Sequence, residues 1–168
     1  MKSKIFLFPD TNLFIQCKPL NELDLSMWDA FDEVHVIVSR PVQAEIDKQK
    51  GGGNSRLAKR ARATASRLRA IVTSQDGYEE VQNANPVVRA YVRVELKRDE
   101  TLAEQLDYSE RDDQLVGTAA LFQKNHADAE VRILTDDFGP ITTAKTVGVK
   151  FDEIPNSWLL PPEEDSAI

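Results

Sequence analysis

Asp10 follows the apolar run Ile5 to Phe8 after the single residue Pro9, and the pair Asp136-Asp137 follows Val131-Arg132-Ile133-Leu134-Thr135 immediately. Glu45 lies among Val42, Ala44 and Ile46, and the pair Asp112-Asp113 precedes a stretch holding Leu115, Val116, Ala119, Ala120 and Phe122. Carboxylates at the ends of apolar segments add nothing to a core, and several brought together repel one another unless protons or a cation intervene. The set Asp10, Glu45, Asp112 or Asp113, and Asp136 or Asp137 suits a hard divalent cation. Mg²⁺ and Mn²⁺ take oxygen ligands, keep several waters, and are held by a few carboxylates plus substrate phosphate. A cation so held can activate water and neutralise charge developing at a phosphodiester. Zinc is not expected, because Cys17 is the lone cysteine and His35 and His126 have no partner at ligand spacing.

Such a set works only if the elements carrying it converge. Ile5 to Phe8, stopped by Pro9, and the β-branched run Val34 to Val38 both predict buried strands. Ser39 and Pro41 predict a helix start, with Val42, Glu45 and Ile46 on that helix. Gly51-Gly52-Gly53-Asn54-Ser55 is a break, after which Leu57, Ala61, Ala65, Leu68 and Val72 predict an amphipathic helix to about Val72. Residues 74–86 are polar and predict a loop. Residues 87–97 alternate with a period of two and predict an extended, half-exposed strand or hairpin arm. Ser109-Glu110-Arg111-Asp112 matches a capping box ahead of the next helix, giving Asp112 a structural reason to exist. Val131 to Thr135 is a strand, 141–146 a short helix closed by Gly148, and 149–151 a last strand. Strands alternating with helices predict a three-layer α/β/α fold with a central, mainly parallel sheet. In such sheets, function collects at the carboxyl ends of the strands. One domain over residues 1–155 is expected, then a mobile tail over 156–168, with Trp158 as an anchor.

No apolar run reaches the length of a membrane span, and the opening apolar stretch ends too soon for an export signal. With one cysteine excluding an internal disulfide, a cytoplasmic protein is expected. The net charge is -7, yet the segment from Lys48 to Val72 carries eight cations and no acid, so the rest of the chain carries -15. Those cations, Lys48, Lys50, Arg56, Lys59, Arg60, Arg62, Arg67 and Arg69, lack acids for pairing nearby. They are expected to meet a polyanion through phosphate contacts that set affinity but not sequence choice.

The motifs resemble a known family. Pro9-Asp10-Thr11-Asn12-Leu13-Phe14-Ile15 resembles the opening of a PIN domain, and Ser39 through Glu45 resembles the helix that brings in a glutamate. Asp113-Gln114-Leu115-Val116-Gly117-Thr118-Ala119 and Leu134-Thr135-Asp136-Asp137 are similar to the remaining two motifs, all in family order from about residue 4 to 150. The resemblance selects Asp113 over Asp112 and Asp137 over Asp136. It implies Asp10, Glu45, Asp113 and Asp137 as catalytic residues, with Asp10, Asp113 and Asp137 on the metal and Thr11, Asn12, Thr135, Asp112 and Asp136 in support. It further implies a Mg²⁺- or Mn²⁺-dependent endoribonuclease acting on RNA, often single-stranded, of a kind that includes toxins with an antitoxin partner. The basic helix around 55–72 and the extended segment around 87–97 depart from the compact toxin form. A homodimer is the commonest assembly for a domain of this size.

Two other classes fit less of the chain. A non-catalytic RNA- or protein-binding module would have no use for so complete an acidic set. A phosphatase with an aspartate nucleophile at position 10 would need a second aspartate two residues on, where Asn12 stands.

Overall fold

The structure is a computed structural model and describes residues 3–162. Its order is β1 (Lys4–Pro9), α1 (Asn12–Ile15), β2 (Glu33–Ser39), α2 (Arg40–Gln49), α3 (Arg56–Thr73), β3 (Tyr78–Asn83), β4 (Val87–Arg93), α4 (Arg111–Asn125), β5 (Glu130–Thr135), α5 (Phe138–Val147) and β6 (Lys150–Glu153). The six strands form one sheet in the order β3-β4-β2-β1-β5-β6. Every neighbouring pair is parallel except β3 with β4. The mixed α/β fold agrees with the expected three-layer, mainly parallel architecture.

β1, β2 and β5 lie at the centre, which is why their residues are apolar without alternation. Ile5, Leu7, Phe8, Val38 and Ile133 are fully buried. Burying each such side chain contributes about 1.5–3 kcal/mol, and that fixes where these strands begin and end. Phe6 and Phe8 pack on Phe122 of α4 on one face. Leu68 and Ile71 of α3 close the core on another side.

Three expectations change. The segment read as a loop over 74–86 contains β3, antiparallel to β4 and broken by a bulge between Glu80 and Gln82. It is an edge strand, and edge strands tolerate a polar sequence that shows no apolar alternation. The strand predicted over 87–97 ends at Arg93, although its period of two runs on past it. Beyond residue 155 the chain stays packed: Trp158 is buried edge-on against Trp28, and the Leu160 amide donates to the Gln16 carbonyl at 2.8 Å. Residues 163–168, part of the tail expected to be mobile, lie outside the described residues.

Candidate metal centre

β1 and β5 are parallel neighbours, with Pro9 opposite Leu134, so Asp10 and the pair Asp136-Asp137 leave the sheet at the same edge. The Asp10 amide still donates to the Leu134 carbonyl at 3.0 Å, which carries the pairing up to the acid itself. The carboxylates of Asp10, Asp136 and Asp137 offer oxygens within 4.8 Å of one another. Asp10 is buried, its partners exposed.

The residues beside these acids hold them in place. The Thr135 hydroxyl donates to Asp10 Oδ2 and accepts from the Asp137 amide at 3.0 Å. Asp10 Oδ1 accepts from the Asn12 amide at 3.1 Å. The Asn12 side-chain amide donates to Asp136 Oδ1 and to Asp137 Oδ2, both at 3.1 Å. Asn12 thus ties the two strand ends together through their acids. Burial raises the Asp10 pKa from 3.8 to about 7, the Thr135 hydrogen bond opposes this, and the charges of Asp137 and Asp136 add to it. Asp137 is raised as well, by burial and then by Asp136. Acids so placed are costly to ionise together without a cation, and an all-oxygen set suits a hard divalent ion.

These groups border a cleft of about 230 Å³ whose wall includes Asp10, Thr11, Asn12, Pro41, Glu45, Gln49, Arg111, Asp112 and Asp137. Glu45 is held on both sides, accepting from Gln49 at 2.9 Å and pairing with Arg111. A cleft of similar size beside α3, walled by Leu13, Phe14, Leu68 and Ile71, is mainly apolar.

The pair at the start of α4 is placed differently from the expectation. Asp112 faces the cleft, and burial, with Asp137 next, raises its pKa. Asp113 instead accepts from the Asp107 amide at 2.7 Å and from the Thr143 hydroxyl at 3.2 Å, tying the preceding loop and α5 to α4. The capping box does not form, because the Ser109 hydroxyl donates to Asp107 Oδ1 and α4 begins after Glu110. The structural reason assigned to Asp112 therefore goes, and Asp113 acquires one.

The basic segment also differs. Arg67 pairs with Glu79, Lys50 with Asp47, and Arg60 donates to the Phe14 and Cys17 carbonyls. Arg62 donates to the Lys50 and Gly53 carbonyls, and Arg56 to that of Pro161. Apart from Asp47, three residues before Lys50, the partners lie outside the local sequence of each cation. Lys48, Lys59 and Arg69 are exposed, and none of the eight lines the carboxylate cleft.

Sequence reasoning passed over Arg111, Gln49 and Phe138. Arg111 carried a signal: a cation in the first turn of a helix opposes the helix dipole and calls for another reason to be there. Phe138, the residue after Asp137, is 81% exposed.

No helix among the described residues is long and apolar enough to cross a membrane. No curated protein is similar enough to the chain to count as a match. The sequence profile of the family described as PIN domain does match, over residues 7–154, from within β1 to just past β6. PIN domains are generally nucleases and typically use divalent metal ions, which agrees with the acids gathered at this sheet edge. With most of its length matched, this chain belongs to the PIN-domain family.

Proposed function

We propose that the protein is a metal-dependent endoribonuclease that hydrolyses phosphodiester bonds of single-stranded RNA with Mg²⁺ or Mn²⁺. The observation that carries this reading is the convergence of Asp10, Asp136 and Asp137 at one sheet edge, with Glu45 and Asp112 on the wall of the same cleft. Asp10, Asp137 and Asp136 would hold the ion, with Asp112 on the facing wall of the cleft adding its charge to theirs. When bound, the ion supplies a water of lowered pKa and neutralises charge on the phosphate.

The chain's own groups prepare that site. Asn12 fixes the spacing of Asp136 and Asp137, and Thr135 orients Asp10 while anchoring the Asp137 backbone. Across the cleft, Asp112 and Glu45 would orient the attacking water and accept its proton. Arg111 pairs with Glu45 and can answer the negative charge that grows on the phosphate oxygens. In the hydrolysis, the water oxygen bonds to phosphorus, one ester oxygen departs with a proton, and no protein group is covalently modified.

The test is cleavage of an end-labelled single-stranded RNA with Mn²⁺, Mg²⁺ or EDTA. The expected result is cutting by the parent with either metal and none in EDTA. Asp10→Asn should abolish cutting while leaving the circular dichroism spectrum unchanged. Equal cutting by parent and variant would overturn the assignment of the site.

A further inference from the structure

Beside the carboxylate cleft lies a second one of about 390 Å³, walled by Arg40, Pro41, Leu96, Lys97, Arg98, Glu100, Gln114 and Thr118. The two share Pro41, and Arg111, Gln114, Leu115 and Thr118 fall on successive turns of one face of α4. From Arg111 to Thr118 the helix rises about 10 Å, beyond a mononucleotide but within a short oligonucleotide. The first cleft is rich in acid, whereas the second holds three cations against one carboxylate.

The cations remain available to a ligand. Arg40 donates only its Nε, to the Val94 carbonyl at 3.2 Å. Arg98 stacks on the Tyr108 ring at 4.4 Å and touches Glu100 at 3.2 Å in a largely solvated pair. Lys97 is exposed and has no ion-pair partner among the described residues. Arg40 is the first residue of α2, where the positive end of the helix dipole disfavours a cation. Phe138, the residue after Asp137 and the first of α5, is 81% exposed, so its ring is left in water. An exposed phenyl ring gains nothing from solvent, but it offers a stacking face to any nucleobase.

Building on the nuclease reading, we propose that a single-stranded phosphodiester strand crosses the carboxylates along a track. Arg40, Lys97 and Arg98 bind its phosphates beyond Pro41, and Phe138, next to Asp137, stacks a base. The cleft cations, and not the internally committed arginines of α3, then dominate the salt dependence of binding.

The experiment is fluorescence anisotropy of the full chain with labelled single-stranded RNA and DNA of one sequence, in Ca²⁺, across a salt series. Cleavage in Mn²⁺ is measured in parallel. Lys97→Ala and Arg98→Ala should each weaken binding about threefold to tenfold and lower the salt slope by about 0.7. Phe138→Ala should weaken binding about fivefold or more with the salt slope unchanged, and Phe138→Trp should restore it. Lys145→Ala, on the last turn of α5, should change nothing. Stronger loss with RNA than with DNA assigns the track to RNA, and equal loss assigns it to either strand.

If the parent cuts RNA but the Lys97, Arg98 and Phe138 variants keep parental affinity and salt slope, the track is wrong and the nuclease reading stands. If the parent binds through these residues but never cuts, the nuclease reading falls and the track stands. A parent that binds neither strand overturns both.

Discussion

Asp10 gives the sharpest test, because its buried position makes a quantitative demand on stability. It is 5% exposed, and its pKa stands at about 7 instead of 3.8, raised first by burial and further by Asp137 and Asp136. The folded protein therefore holds a proton that the unfolded chain releases near pH 4. Between those values the unfolded state binds fewer protons than the folded state, so stability falls as pH rises, by about 1.4 kcal/mol per pH unit. The loss reaches roughly 4 kcal/mol near pH 7 and then stops. Asp10→Asn has no proton to release and should lack the decline. Chemical denaturation in EDTA from pH 4.5 to 8 should show the variant gaining on the parent throughout that window. The gain should end nearer 2–4 kcal/mol, because one hydrogen bond to Thr135 or Asn12 is weakened.

Metal should close most of that gap. A divalent ion needs the carboxylate ionised, so at pH 7.5 and a hundred times its dissociation constant Mn²⁺ should stabilise the parent by about 2.7 kcal/mol. The variant should respond little. A stability difference that stays flat with pH would show that Asp10 does not occupy the strained environment described. An equal Mn²⁺ response in parent and variant would show that the ion is held elsewhere.

Four further substitutions probe the surroundings. Asp112→Asn should lower cleavage and Mn²⁺ stabilisation while raising metal-free stability at neutral pH, because burial and Asp137 hold this carboxyl above its usual range. Asp113→Ala should instead cost about 1 kcal/mol in unfolding experiments, by stranding the Asp107 amide; the opposite assignment of effects would restore Asp113 as the ligand. Gly139→Ala should weaken Mn²⁺ stabilisation in thermal melts, because a Cβ there would stand 2.9 Å from Asp112 Oδ2 and push that carboxylate aside. Gly117→Ala should lower stability by about 1–3 kcal/mol without changing Mn²⁺ affinity in titration calorimetry, since its Cβ would lie 2.6 Å from Tyr108 Cε1.

How far the sequence reveals the site depends on how far each residue's role is local. β1, β2 and β5 were legible because central parallel strands are buried on both faces and must be apolar throughout, so Asp10 and Asp136-Asp137 stood out at their ends. β3 was not, because it pairs on one side only and its polar residues carry no period. The choice between Asp112 and Asp113 illustrates a different limit. Successive helical residues point about 100° apart, and both acids have Val116 within the next turn, so the pattern does not say which faces the cleft. What decides is the Asp107 loop and Thr143, six and thirty residues from Asp113.

The basic segment failed for the same reason. Glu79 and the carbonyls of Phe14 and Cys17 are remote in sequence, so cations that read as free are bound within the fold. A local sign was available all the same. Arg40 and Arg111 each begin a helix at the carboxyl edge of the sheet, against the dipole, and each lines a cleft next to the acids. A cation set against the dipole and lining a cleft is better grounds for expecting a ligand than one committed within the fold, as Arg56 at the start of α3 is to the Pro161 carbonyl.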